Sequence, residues 1–383
     1  MTVYSRPIRA GMIGGGQGAF IGQVHRMAAR LDGDFDWVCG VFSRDQENNH
    51  ATGRGLNLSD DRLYDDWETL IAREGRLPAD RRVQLLVIAT PNHLHVPVAR
   101  AALMAGIHVF SEKPAGVNFA EVKELGKALE SSERLYGLAH TYIGYPLVWQ
   151  AREMVERGEL GQLRKIHVEY PQGWLGHTVD DPEAWRADPA RSGAGGCLGD
   201  IGTHAFNLAE FVSGQHVNTL CASLGIHAAG RTLDDDVDIL FRTAEGTSGS
   251  LIASQICSGE ENGLKLRVYG ELGGLEWHQM EPNTLIHRPQ NAPARLLRAG
   301  IDNLALFPAA HQRLRLPGGH PEGYLEALGN LYRYFATAIR KEEMGAPSGV
   351  PGIDSALRGM AFVETALASQ NSTEKWIPLN LDS

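Results

Sequence analysis

The feature that most constrains this chain is a glycine run in one particular place: Gly14-Gly15-Gly16-Gln17-Gly18-Ala19 directly follows the apolar stretch 8–13. A short apolar run bounded by turn residues reads as a buried strand. Residues 24–31, with apolar and small side chains on one side, read as a helix. Strand, glycine turn and helix form the context in which the Gly-x-Gly-x-x-Ala spacing of Gly14, Gly16 and Ala19 is informative. Glycine permits the tight turn and lets backbone amides approach a pyrophosphate, whose charge the helix N-terminus favours. Gly14, Gly16, Gln17 and Gly18 are therefore expected to line a dinucleotide. Phe20-Ile21-Gly22 read as extra loop before the helix carrying His25, with Phe20 and Ile21 either covering one face of the dinucleotide or packing on the sheet.

The alternation continues down the chain. Strands are predicted at 35–42, 85–89, 107–110 and 135–139, with helices at 99–105 and 119–129 between them. Such alternation implies βαβ crossovers and a parallel sheet covered on both faces, with ligands at the carboxyl ends of its strands. Residues 1–140 fit one doubly wound Rossmann domain of this kind. After a helix at 148–157 the pattern changes to strands at 165–169, 217–224, 236–242, 247–254 and 265–269, joined by Gly-rich turns. That succession predicts a mostly antiparallel sheet in a second α/β domain, 141–383, closed by helices at 325–339 and 355–368. The 383 residues suffice for two domains, since single cores rarely grow past roughly 250–300 residues. The stretch 283–319, rich in Pro, Arg and Asn, reads as a surface excursion or a subunit-contact arm.

Several segments carry chemistry-bearing side chains. Ser43-Arg44-Asp45 follows the second strand, where an acidic residue would serve a ribose 2′-hydroxyl and an Arg a 2′-phosphate. Ser43 and Arg44 lean toward NADP and Asp45 toward NAD, so the preference stays open. Glu112-Lys113-Pro114 ends a parallel strand, and Pro114 restrains Lys113 toward extended geometry, aiming its side chain over the cleft. In Gly195-Gly196-Cys197-Leu198-Gly199-Asp200-Ile201-Gly202-Thr203-His204, Asp200 and His204 lie four apart and share a helix face. A carboxylate near an imidazole fixes its orientation for proton transfer. Tyr142, Gln172 and Trp174 follow strands and offer the aromatic faces and amides that suit sugar rings and hydroxyls. Asp200/His204 and His93/His95 are also metal-like pairs, but a zinc site needs three or four protein ligands, so no metal is expected.

A net charge of −10 argues against a nucleic-acid partner, which would need a Lys/Arg surplus. No apolar stretch reaches the roughly 20 residues of a membrane span. Cys39, Cys197, Cys221 and Cys257 are scattered, and no signal core precedes residue 8; together these predict a cytoplasmic protein.

The landmarks Gly14-Gly15-Gly16, Ala89-Thr90-Pro91-Asn92, Glu112-Lys113-Pro114 and Asp200-Ile201-Gly202-Thr203-His204 occur in the order found in the glucose-fructose oxidoreductase/inositol dehydrogenase/rhizopine catabolism (Gfo/Idh/MocA) family, which the first 210 or so residues resemble. The resemblance implies a Rossmann domain followed by an α/β domain with a large open sheet, often used in homodimer or homotetramer contacts. It implies an NAD(P)-dependent dehydrogenase acting on a secondary alcohol of a sugar, anhydrosugar or cyclitol. It further implies that Thr90, Pro91, Asn92, His95, Glu112, Lys113 and the pair Trp185-Arg186 lie at the cofactor. Lys113 would contact the reacting hydroxyl and the nicotinamide region, with Asp200 and His204 holding and deprotonating the substrate. Two rival readings remain within that resemblance: a glycosidase using NAD for transient oxidation, and a non-enzymatic sugar or nucleotide sensor.

Overall fold

Strand β1 (Ile8–Gly14) is buried along most of its length because parallel strands flank it on both sides, β2 (Phe35–Val41) and β3 (Leu85–Ala89). The computed structural model describes residues 6–176 and 188–381. The first sheet continues through β4 (His108–Ser111) and β5 (Tyr136–Leu138), all parallel, in the order β2-β1-β3-β4-β5. Beyond β2, Leu63 makes one more parallel bridge, to Gly40. The order reverses between β1 and β3, and there Gly14 stands level with Ala89 at the carboxyl ends of both strands. A crevice at such a switch point is where this architecture binds its ligands.

Helices α1 (Phe20–Arg30), α2 (Gln46–Gly55), α3 (Trp67–Glu74), α4 (His95–Met104) and α5 (Phe119–Ser132) connect these strands. Side-chain caps fix three of the starts. Asp45, Asp66 and Asn118 accept from the amides of Asn48, Thr69 and Glu121 at 3.1, 2.6 and 2.8 Å, satisfying donors the helix itself leaves unpaired. Neither α2 nor α3 is among the helices expected from sequence. The α2 segment, Gln46-Glu47-Asn48-Asn49-His50, is too polar to show an apolar period, and its cap is the better signal.

The chain folds into two compact units, Met1–Ala139 with Leu328–Leu357, and His140–Ala327 with Arg358–Ser383. Residues 328–357 thus group with the parallel sheet, although the sequence pattern places them in 141–383. Aromatic packing accounts for this. From α10 (Tyr324–Arg340), Tyr332 meets Phe110 and Phe35 at ring distances of 4.9 and 5.4 Å, and Phe335 meets Phe110 at 5.7 Å.

His108 gives this unit an acid-sensitive point. Its Nδ1 accepts the Leu135 amide at 3.0 Å, which requires a neutral ring. Burial, with help from the Arg134 charge, lowers its pKa from the usual 6.5 to about 4. The unfolded chain therefore takes up this proton first, and the stability tied to the neutral ring is lost as pH falls from 6.5 toward 4. Urea unfolding should show roughly 2–3 kcal/mol of such loss that His108→Asn, which keeps an acceptor but not the titration, does not share. Parallel pH profiles for the two proteins would exclude His108 as the cause.

The second unit contains a nine-stranded sheet in the order β13-β12-β11-β10-β6-β9-β8-β7-β14. Its strands are β6 (Leu163–Pro171), β7 (Val217–Gly225), β8 (Asp236–Thr243), β9 (Ser248–Ser254), β10 (Lys265–Gly270), β11 (Gly273–His278), β12 (Thr284–Pro289), β13 (Arg295–Arg298) and β14 (Ile377–Pro378). Pairing is antiparallel everywhere except between β6 and β9. The fold is α/β, a parallel Rossmann sheet followed by a mostly antiparallel one. Along β8, Val237, Ile239 and Phe241 are buried while Asp238, Leu240 and Arg242 are exposed, the alternation of a sheet covered on one face. Helices α6 (Pro146–Glu156) and α8 (Thr203–Ser213) lie on the covered face; α7 (Pro189–Ser192), α9 (Pro308–His311) and α11 (Ile353–Asn371) complete the helices described.

The stretch 283–319 is not simply an excursion. Its first part supplies the paired strands β12 and β13, and the rest returns along the unit, with Glu322 accepting the Arg315 and Leu316 amides at 2.6 and 2.9 Å. Pro289 and Pro293 flank the hairpin turn, while Arg288, Arg295 and Arg298 lie within the two strands, so a composition that reads as loop does not prevent pairing there.

Candidate active site

The glycine turn is held from below by α2. Gln17 N–H donates to Asn48 Oδ1 at 2.9 Å, Asn48 Nδ2 returns a bond to Gln17 O at 3.0 Å, and Gly16 N–H donates to Phe42 O at 3.0 Å. Gly14 and Gly18 have φ of 85° and 86°, backbone that a side chain would strain. Helix α1 begins at Phe20, so Phe20, Ile21 and Gly22 form its first turn rather than the extra loop expected from sequence. The early start depends on Gly22, because a Cβ there would stand 2.3 Å from Gly15 Cα. Phe20 is 73% exposed and so does not pack on the sheet. Ala19, at the N-cap, offers no side-chain cap, which leaves first-turn amides of α1 for another acceptor.

Ser43 Oγ accepts the Asp45 amide at 3.1 Å, Asp45 caps α2, and Arg44 is exposed. After β3, Thr90-Pro91-Asn92 turns into α4. His95 is the first residue of that helix and is buried, with Nδ1 2.7 Å from Pro114 O and Nε2 2.9 Å from Thr90 O. It ties the Thr90 turn to the Lys113-Pro114 segment; burial lowers its pKa, with the two carbonyls opposing. Thr90 Oγ1 and His93 Nδ1 are buried without a hydrogen-bond partner among the described residues. Lys113, two residues past β4, is half-buried, and the carboxylate of Glu112 accepts its amide at 3.1 Å.

In the second unit, Asp200 lies in a π-helical turn, Leu198–Gly202, that runs straight into α8 and His204. Insertions of this kind are frequent at functional sites. Asp234 anchors the glycine segment before it. Its carboxylate accepts the Gly196 and Leu198 amides at 2.7 Å each, and its carbonyl accepts Cys197 N–H at 2.8 Å. Gln255 Nε2 donates to Asp200 Oδ2 at 2.9 Å. His204 is buried, with Nδ1 3.4 Å from His140 Nδ1 and its ring 4.8 Å from that of Tyr142.

Tyr142, Tyr170 and Asn262 close a polar ring beside this histidine. The two phenols hydrogen-bond each other, Tyr170 OH donates to Asn262 Oδ1 at 2.6 Å, and Asn262 Nδ2 donates to Tyr142 OH at 3.2 Å. Burial pushes the Tyr170 phenol well above its usual pKa, so it acts here as a neutral donor. Gln172 Nε2 joins Asn262 Oδ1 at 2.9 Å, and Trp174, about half exposed, donates to Gln172 Oε1 at 3.0 Å. Tyr142, Gln172, Trp174 and His204, proposed separately from sequence, thus belong to one connected cluster.

Residues 8–140 match the oxidoreductase family with NAD-binding Rossmann fold, and residues 148–276 match the GFO/IDH/MocA C-terminal domain. An oxidoreductase from Sinorhizobium meliloti is 42% identical, over 97% of this chain and 100% of its own, with a TM-score of 0.88. This chain belongs to the Gfo/Idh/MocA oxidoreductase family. An inositol dehydrogenase homolog from Azotobacter vinelandii, complexed with NADH and myo-inositol, is 33% identical over 98% of both chains with a TM-score of 0.90. Levoglucosan dehydrogenase of Pseudarthrobacter phenanthrenivorans is 26% identical over 97% of both.

As a Gfo/Idh/MocA oxidoreductase the chain is an enzyme with a nicotinamide dinucleotide as cofactor, and its own residues fit that group. The positive-φ glycines, the uncapped first turn of α1 and the orphaned Thr90 hydroxyl offer a cradle and unspent hydrogen-bonding capacity. Trp185 and Arg186, expected near the cofactor from the family pattern, lie outside the described residues. Among the described residues, no group of three or more His, Cys, Asp or Glu is arranged to hold a metal, and no helix is long and apolar enough to cross a membrane. Sequence reasoning passes over His140, Tyr170, Gln255, Asn262 and the anchors Asn48 and Asp234. His140 has a usable signal, since it lies two residues past the last parallel strand; Asn262 and Gln255 sit in loops that share no spacing with Tyr142 or Asp200.

Proposed function

We propose that this oxidoreductase oxidises a secondary alcohol of a sugar, anhydrosugar or inositol, with NAD as the preferred cofactor. The observation carrying this reading is the cluster of Tyr142, Tyr170, Gln172, Asn262 and Trp174 next to His204, which combines aromatic faces with amide and hydroxyl donors. Sugars and cyclitols present just those complements, apolar ring faces and a rim of hydroxyls. The Azotobacter relative, complexed with NADH and myo-inositol, and the levoglucosan dehydrogenase support the substrate class. The NADH in the former, with Asp45 available to a ribose hydroxyl, supports NAD.

The cofactor, when bound, accepts hydride at its nicotinamide ring. Gly14, Gly16, Gln17, Gly18, Phe20 and Ile21 would hold its pyrophosphate side, Ser43 and Arg44 its ribose side, and Thr90, Pro91 and Asn92 its nicotinamide side, with His95 and Glu112 buried behind them as supports of the Thr90 turn and of Lys113. His204 takes the hydroxyl proton at Nε2, a role that requires its Nδ1 to carry a proton and donate to His140 Nδ1. Asp200, steadied by Gln255, binds a neighbouring hydroxyl. Lys113 stabilises the oxygen as it gains negative charge. The exposed outer face of the nine-stranded sheet, with Leu240 and Ile252 at 52% and 41% exposure, would be the contact in a homodimer or homotetramer.

The test is absorbance of reduced nicotinamide during incubation with inositols, monosaccharides, levoglucosan and glycosides, NAD and NADP in parallel. Reduction with a free polyol, faster with NAD, is expected. Release of an aglycone without net reduction, or bound cofactor that no polyol reduces, would overturn the proposal.

A further inference from the structure

We propose that His25 and Tyr332 are positioning residues for Lys113, acting through Glu112; this rests on the reading of Lys113 as a group that acts on substrate. His25, on α1, is fully buried. Its Nε2 lies 2.9 Å from Glu112 Oε1 and its Nδ1 2.7 Å from Tyr332 OH, while Glu112 Oε2 accepts the Lys113 amide at 3.1 Å. One proton arrangement satisfies every partner: Tyr332 OH donates to Nδ1, Nε2–H donates to Oε1, and Lys113 N–H donates to Oε2.

The surroundings leave these groups little freedom. Phe110 packs edge-on against both His25 and Tyr332, at 5.8 and 4.9 Å, and Phe35 closes on Tyr332 at 5.4 Å. A phenol, an imidazole and a carboxylate amid phenylalanines carry a desolvation cost that an apolar trio of the same shape would avoid. What the arrangement delivers is a carboxylate fixed one residue from Lys113 and bonded to the amide from which that side chain departs. Burial raises the Glu112 carboxyl, but the hydrogen bond from His25 and the nearby Lys113 more than reverse this and keep it ionised. The bond fixes the backbone of Lys113. A misplacement of about an ångström at a reacting group can lower turnover on the order of a hundredfold.

Four variants test the proposal: His25→Gln, Glu112→Gln, the double variant, and Tyr332→Phe, which keeps the ring packing. His25→Gln and Glu112→Gln should lower kcat by roughly 10–100-fold with KM for the alcohol and Kd for NAD within about threefold. The double variant should be little worse than either single one, because both break one chain. Tyr332→Phe should give a smaller loss of the same kind. A second readout is independent of turnover: labelling of Lys113 by an amine-directed acylating reagent, followed by peptide mass spectrometry. Labelling at fixed pH should quicken in Glu112→Gln, where the one amide oxygen cannot accept from both His25 and the Lys113 N–H, so the lysine is held less firmly and meets the reagent more freely. Additive losses, unchanged labelling, or a kcat loss that tracks a lowered Tm would overturn the positioning role. Lys113→Ala measured alongside separates the two failures. Unimpaired turnover in Lys113→Ala removes the underlying reading; impaired turnover there with normal His25→Gln and Tyr332→Phe removes only this proposal.

Discussion

Lys113→Ala is expected to lower kcat by about 10²–10⁴-fold while NAD affinity stays within a few-fold of the parent. The two halves of that statement rest on different parts of the first unit. Binding of the pyrophosphate is assigned to backbone, the turn braced by Asn48 and the first turn of α1, and binding of the ribose to Ser43 and Arg44, none of which involves Lys113. The lysine contributes instead a charge at the alcohol oxygen as the O–H bond breaks. An interaction made mainly in the transition state raises kcat without tightening the ground state, so its loss appears in kcat and equally in kcat/KM. Steady-state kinetics and calorimetric titration of NAD check the two halves separately. A loss confined to NAD affinity would make Lys113 a cofactor contact only, and normal turnover would remove it from the reaction. Lys113→Arg is informative beside it, since it keeps the charge but alters its position and donor geometry.

Much of this framework was legible in the sequence, for reasons visible residue by residue. The buried parallel strands β1 and β3 are largely apolar runs ending in punctuation, Gly14 in one case and Thr90-Pro91 in the other, so their extent could be read. Asp200 and His204 were found because one helical stretch carries them. What escaped was whatever depends on distant chain. Phe20-Ile21-Gly22 looked like loop because the reason for an early helix start is contact between Gly22 and Gly15, not local propensity. Tyr332 and Phe335 predict a helix face but not that the face packs on Phe110, more than 200 residues earlier. Asn262 joins Tyr142 and Tyr170 across separations of 120 and 92 residues, with no motif to announce it.

His204→Ala should be nearly as severe, lowering kcat/KM by about 10²–10⁴-fold and removing the acidic limb of its pH profile. A base that must be unprotonated to act makes the rate rise with pH until it is free; without it, that rise disappears. The geometry adds a more specific expectation. His204 Nδ1 and His140 Nδ1 face each other at 3.4 Å, so one proton lies between them and its owner sets the tautomer of His204. With the proton on His204, Nε2 is left as the acceptor for the substrate hydroxyl. His140→Ala then takes away the group that selects this tautomer but not the base itself, and its loss should be much smaller than that of His204→Ala. Added imidazole should restore part of the rate to His204→Ala, by supplying a mobile base in the vacated space, and none to Lys113→Ala. If His204→Ala keeps its acidic limb, the base is another group. If His140→Ala is as damaged as His204→Ala and equally rescued by imidazole, the proton leaves through the histidine pair rather than at Nε2 of His204 alone.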